Sequence, residues 1–207
     1  VENHVNLVKT LGVDPPTIPA LSMAPPEEYE AANVRRMIQE DTLAKAKIIA
    51  LHISAGNEFR DWGAERLGLL ITLLDQIPGV KIALIGSGAD KKTEKEIKRK
   101  CDAPTISMVN RLNLRELREF ISHASLFVGP DSGPMHIAAT TKTPIVAYFG
   151  PTLPAHFGPW KTRSTLLEKD LDCRPCRQHR CIHEDFRCLR TISPEEVYGA
   201  CLPYLKD

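Results

Sequence analysis

"LFVGPDSGPMHIAA", residues 126–139, carries a strand, a turn and the start of a helix in one run. Leu126, Phe127 and Val128 are apolar without alternation, as in a strand buried on both faces. Gly129 and Pro130 end that run, Asp131, Ser132 and Gly133 follow, and His136 falls in the first turns of the next apolar segment. A carboxylate, a hydroxyl, a flexible residue and an imidazole have little packing value at such a joint. They have chemical value there, because the first N–H groups of a helix lack intrahelical partners and carry the positive end of its dipole. That combination is a ready seat for phosphate. A single N-cap accounts for Asp131 or for Ser132, and not for the whole string.

The alternation extends in both directions. "IIALHIS" from Ile48 predicts the first strand, "WGAERLGLLITLLDQI" has apolar residues at helical spacing, and "KIALIG" predicts a second strand. "ADKKTEKEIKRKC" reads as a second helix, "APTISM" as a weak third strand, and "NLRELREFISHA" as a third helix capped by Asn113. "SLFVG" is the fourth strand, "GPMHIAATT" the fourth helix, "TPIVAYFG" the fifth strand and "STLLEK" a sixth. "ISPEEVYGACLPYL" closes the chain, with Ser193 as N-cap, Pro194 at the first helical position and Glu196 completing a capping box. Strand alternating with helix predicts an α/β fold, a parallel sheet with helices on both faces. In the common strand order 3-2-1-4-5-6 the sheet reverses between the first and fourth strands, and ligands bind beyond the carboxyl ends of the strands at that reversal. Those two strands end in "SAGNEFRDW" and "GPDSGPMH", which the topology sets across one crevice.

Before Ile48 the pattern differs. "VENHVNLVKTLGV" reads as a helix ended by Gly12, "DPPTIPALSMAPP" as an extended connector, and "EEYEAANVRRMIQED" as a mostly polar helix. Residues 1–47 are therefore expected to be a linker and leading helices from a preceding domain, with residues 48–207 as the nucleotide-binding unit. A length of 207 residues, 43% hydrophobic and 26% charged, suits a globular α/β unit with a full core. A net charge of +1 leaves no nucleic-acid footprint, and the basic block "KKTEKEIKRK" is laced with Glu94 and Glu96 as on a solvated helix face. No apolar run nears the ~18 residues of a membrane span, and no secretory signal opens the chain. The expected place is the cytoplasm, with any touch on the inner membrane peripheral and made through a part outside this chain.

Around the crevice, Gly56, Gly129 and Gly133 permit close approach of backbone to a ligand. Ser132 can donate to a phosphate, His136 can do so beside an anion, and Arg60 is placed to swing back to a diphosphate. Asp90, after "LIGSGA", stands where nucleotide-binding sheets carry a ribose-binding carboxylate, or else it caps a helix. The loop "FGPTLPAHFGPW" (149–160) either walls the pocket with His156, Phe157 and Trp160 or is a rigid connector. Cys101 and Cys201 read as small core hydrophobes or free thiols. Cys173, Cys176, Cys181 and Cys188 cluster in "CRPCRQHRCIHEDFRC", with His179 and His183 nearby. That cluster admits three readings: a metal site with zinc first, reduced thiols packing a loop, or a disulfide. The loop is expected to lie away from the first and fourth strand ends and to take no part in the chemistry of the crevice.

"VGPDSGPMHIAATTKTPIVAYFGPT", the preceding "NLRELREFISHASLF" and the cysteine-rich stretch ending in "ISPEEV" resemble the ADP-heptose:lipopolysaccharide heptosyltransferase family. The resemblance covers nearly the whole chain but only the carboxyl-terminal half of such an enzyme. It implies a Rossmann-like fold, the donor-binding domain of a GT-B glycosyltransferase. It implies that Asp131, Ser132, Gly133 and His136 hold an ADP-sugar, that Ser54 and Ala55 lie at the phosphate-contacting turn, and that Asp90 meets the ribose. Arg60 stands where the family commonly has a lysine, two residues before Trp62; arginine keeps the charge and changes the geometry. The implied reaction is inverting transfer of a heptose from ADP-heptose to the inner core of lipopolysaccharide. The base is expected in the amino-terminal domain, and no cofactor is expected for transfer. A non-catalytic nucleotide-sugar-binding module and a different sugar-nucleotide enzyme are the competing readings.

Overall fold

A computed structural model describes residues 2–13 and 18–206. Six strands form one parallel sheet: β1 (Lys47–His52), β2 (Val80–Ile85), β3 (Thr105–Ser107), β4 (Leu126–Pro130), β5 (Ile145–Phe149) and β6 (Ser164–Glu168). Their order is β3-β2-β1-β4-β5-β6, so the sheet reverses between β1 and β4 as expected. The register sets Ile49 beside Ile82 on one side and beside Leu126 on the other. Because side chains alternate across a strand, neighbouring residues of β1 feed opposite layers.

One layer holds α3 (Ala64–Asp75), α4 (Lys91–Lys100) and α9 (Pro194–Leu205). Leu67, Leu70, Ile71 and Leu74 of α3 pack there with Ile97, Val197, Cys201 and the strand residues Ile49 and Leu51. The other layer holds α2 (Glu28–Glu40), α5 (Leu114–Ser122) and α6 (Gly133–Ala138). Val34, Met37 and Ile38 of α2 join Phe120, Ile121, Met135, Ile48 and Ala50 in that core. Each buried leucine or isoleucine is worth about 1.5–3 kcal/mol, so α2 is held by its apolar stripe although most of its residues are polar. The contact is also polar. Asn113 caps α5, and its Nδ2 donates to the buried Glu30 of α2 (3.0 Å), while Asn33 of α2 donates to Glu116 of α5 (2.6 Å).

Helix α1 spans Glu2–Lys9, and short helices α7 (Pro154–Phe157) and α8 (Arg187–Arg190) interrupt the carboxyl-terminal loops. Of the proline-dense connector, residues 14–17 lie outside the described residues. The rest runs without regular structure, and Trp160 Nε1 donates to the Pro19 carbonyl (3.0 Å). At the other end of the chain, Ser193 caps α9 by accepting from the Glu196 N–H (3.2 Å), with Pro194 next.

Candidate functional site

A cavity of about 340 Å³ opens beyond the carboxyl ends of β1, β2 and β4, where the strand order reverses. This is within the size range of small-ligand sites, about 300–1,000 Å³. Ser54 and Ala55 after β1, Ser87 and Asp90 after β2, and Ser132 and Gly133 after β4 line it. Met108, Leu112, Leu114 and Leu117 give it an apolar wall.

Six of the residues expected from sequence therefore meet in one cleft: Ser54, Ala55, Gly56, Asp90, Ser132 and Gly133. Asp90 is buried, and its Oδ2 accepts from the backbone N–H (2.6 Å) and hydroxyl (2.8 Å) of Ser87. Burial alone pushes its carboxyl up; hydrogen bonds from Ser54 and Ser87 outweigh that and bring it below its ordinary value. Asp90 thus clasps the turns after β1 and β2 together. Gly86 makes room for this, since a Cβ there would stand 2.9 Å from Asp90 Oδ2.

Ser132 occupies the N-cap position of α6, yet its side chain makes no cap hydrogen bond. Its Oγ lies 3.1 Å from Nδ1 of His52, the last residue of β1. His52 is buried, and that burial lowers its pKa from 6.5 to about 4 despite the pull of Asp90, so the ring is neutral. Gly129 is small for the sake of this histidine: a Cβ there would stand 2.9 Å from His52 Cβ. The expectation that Gly129 admits a ligand gives way to strand packing, whereas Gly133 has open space around it.

Asp131, Arg60 and His136 do not line the cleft. Asp131 is buried and accepts from the Thr152 hydroxyl (2.7 Å). Arg60 Nη1 donates to the Asp131 carbonyl (3.3 Å) and lies 3.5 Å from its Oδ2. Arg60 Nε is buried with no partner among the described residues. Neither Asp131 nor Ser132 is simply a cap, and both are engaged inside the protein. His136 is half-buried in α6. His52 and Ser87 were not singled out from the sequence; a histidine inside the run "IIALHIS" was the available signal for the first.

The loop after β5 does not wall the cleft with His156, Phe157 or Trp160. It bonds instead through Thr152 to Asp131 and through Trp160 to the connector. The cysteine-rich loop corrects a second expectation, because it packs against the segment that follows β1. Asn57 Nδ2 donates to Gln178 (3.0 Å), and the rings of Phe59 and Phe186 meet edge to face at 5.5 Å. Arg174, with 4% of its side chain exposed, donates to the carbonyls of Gly150, Thr152 (2.7 Å) and Lys169 and to Glu168 (2.8 Å). All six cysteines are unpaired, so the disulfide reading falls. Cys173, Cys176, Cys181 and Cys188 line a second cavity of about 50 Å³ together with Phe59 and Phe186. Among the described residues no three His, Cys, Asp or Glu side chains already converge as a metal shell.

Residues 1–186 match the model of glycosyltransferase family 9 (heptosyltransferase). The chain is similar to lipooligosaccharide heptosyltransferase 2 of Campylobacter jejuni, 34% identical over 102 residues that make up 49% of this chain and 32% of that protein. It is similar to lipopolysaccharide heptosyltransferase 3 of Escherichia coli, 29% identical over 164 residues, 77% of this chain and 47% of that protein. The solved structure of a glycosyl transferase family 9 protein from Veillonella parvula shares the fold, with a TM-score of 0.84 at 21% identity over 99% of this chain and 59% of that one. The matched part is thus less than two thirds of each relative's own length.

Proposed function

The chain belongs to glycosyltransferase family 9, and from that membership we propose that it is the donor-binding half of a heptosyltransferase. Its cleft holds an ADP-sugar, and another domain presents the lipopolysaccharide inner-core acceptor and the base. The reading is carried by one observation: a cleft at the strand-order reversal, apolar along Met108, Leu112, Leu114 and Leu117 and lined by the hydroxyls of Ser54, Ser87 and Ser132. The apolar wall suits a purine. The Ser132 hydroxyl and the open approach at Gly133 suit a diphosphate.

In the proposed reaction the base takes the proton of an acceptor hydroxyl. That oxygen bonds to the anomeric carbon as the bond to the diphosphate oxygen breaks, and ADP leaves with the charge. Groups fixed at the diphosphate before reaction stabilise this charge without reorganising. We assign that part to Ser132 and the backbone at Gly133, while Ser54 donates to Asp90 and fixes the turn beside them. Arg60, paired with Asp131 beside the cleft, and His136 are assigned to the diphosphate, which both reach by side-chain movement. Asp90 organises the ribose end through Ser54 and Ser87.

We place the protein in the cytoplasm, peripheral to the inner membrane. Unpaired cysteines suit a reducing compartment, and no helix among the described residues is long and apolar enough to cross a membrane. The second cavity is a candidate for a structural zinc, since four thiols are a soft donor set and 50 Å³ has room for an ion and none for a substrate.

Calorimetry of the 207-residue chain with ADP, UDP and GDP tests the donor reading. ADP should bind most tightly, and the chain alone should transfer no heptose. UDP binding as tight as ADP would count against an ADP-sugar donor, and transfer by this chain alone would sink the half-enzyme assignment.

A further inference from the structure

We propose that the four-thiol cavity and the donor cleft are coupled, so that a soft metal ion held by Cys173, Cys176, Cys181 and Cys188 tightens nucleotide binding through the segment Asn57–Arg60. The proposal rests on the donor reading above and adds a metal-linked control to it.

The observations form a continuous chain of contacts. Phe59 is a wall of the thiol cavity, and its ring also packs on Phe186. Two residues before it, Asn57 bonds Gln178 within the cysteine-rich loop. One residue after it, Arg60 bonds Asp131, which precedes the cleft residue Ser132. A second route runs through Cys176, whose N–H donates to the Pro151 carbonyl (3.1 Å), and then through Thr152 to Asp131. Both routes end on the residue that holds Arg60.

The sulfurs share a cavity without already converging on one point. Closing them on an ion releases thiol protons to solvent, forms metal–sulfur bonds at about 2.3 Å and draws the loop inward. A loop tied at Asn57 and Phe59 cannot contract without acting on the segment that bears Arg60. Any such effect is reciprocal: if the ion changes ADP affinity by a factor, ADP changes ion affinity by the same factor.

The test uses Zn²⁺ on the full 207-residue chain, kept reduced, with a chromophoric chelator reporting the free metal. ADP affinity is measured by calorimetry on the stripped and the loaded protein. Expected are one Zn²⁺ per chain, ADP binding at least about fivefold tighter when loaded, and Zn²⁺ binding tighter by the same factor in the presence of ADP. Gln178→Ala should keep Zn²⁺ binding and reduce the coupling. Cys176→Ser should lose the metal and bind ADP as the stripped protein does. Absence of Zn²⁺ binding overturns the proposal, and so does equal ADP affinity in the two forms. Failure of ADP to bind either form, with Zn²⁺ bound normally, instead removes the donor reading and the coupling falls with it.

Discussion

His52 is buried at the end of β1, and its titration should be visible in stability. Unfolded, the ring has its ordinary pKa of 6.5; folded, burial brings it to about 4. Above pH 6.5 both states hold a neutral ring, and His52 adds no pH dependence. As pH falls from 6.5 toward 4 the unfolded chain takes up a proton that the folded protein refuses, so stability declines; below about pH 4 the decline from this residue stops. The total is about 3 kcal/mol. Urea unfolding at pH 7 and pH 4 should show wild type losing about that much more than His52→Gln; parallel losses would mean that the ring is not held neutral. Gly129→Ala forces a methyl group to 2.9 Å from His52 Cβ. Overpacking of this kind should lower unfolding free energy by about 1–3 kcal/mol, read from the urea midpoint at constant slope. Asp131→Ala leaves Arg60 without its carboxylate and Thr152 without its acceptor. Loss of a hydrogen bond to a charged group costs about 1.5–3 kcal/mol, so the melting temperature should fall along with ADP affinity. The alternative of a direct ligand contact predicts weakened ADP binding at unchanged melting temperature.

Helix ends were readable where one residue type has one local use. Asn113 accepts from the N–H groups of Arg115 and Glu116 (both 2.9 Å), and Ser193 accepts from Glu196, as their positions before apolar runs foretold. Asn113 does more than cap, since its Nδ2 ties α5 to Glu30 of α2. Asn113→Ala should therefore cost more than Ser193→Ala, with about 1 kcal/mol expected for the cap at Ser193; paired thermal unfolding curves give the comparison. Helix α2 was legible as a helix and not as a core element. Its mostly polar sequence hides a stripe of Val34, Met37 and Ile38, whose burial depends on where Phe120 and Ile121 of α5 arrive. At α6 the capping alternative gives way: Ser132 stands at the N-cap position, makes no cap hydrogen bond, and pairs with the imidazole of a different strand.

At the scale of the molecule, the central strands β1, β4 and β5 are buried nearly throughout, while β3 and β6 at the edges are only partly covered. Amide hydrogen exchange should be slowest in β1, β4 and β5 and fastest at the two edges; a slow β6 would contradict this order. Periodicity by itself determined that this is a parallel α/β sheet, because apolar runs without alternation must be covered on both faces and the helices between them must do the covering. Local chemistry determined the caps and pointed to the joints after β1 and β4, since a polar string where packing would be expected is visible without coordinates. What only the tertiary structure decided is which polar groups meet. Burial of His52 follows from Gly129 on a neighbouring strand, the Asp90 clasp from the distance between two turns, and the pairing of Arg60 with Asp131 from a contact 71 positions apart in sequence. The cysteine-rich loop lies far along the chain from Asn57, and its packing beside that segment rests on Gln178 and Phe186. Such contacts obey no period, because a side chain's pKa, partner and exposure are set by neighbours that the fold brings together from distant parts of the sequence.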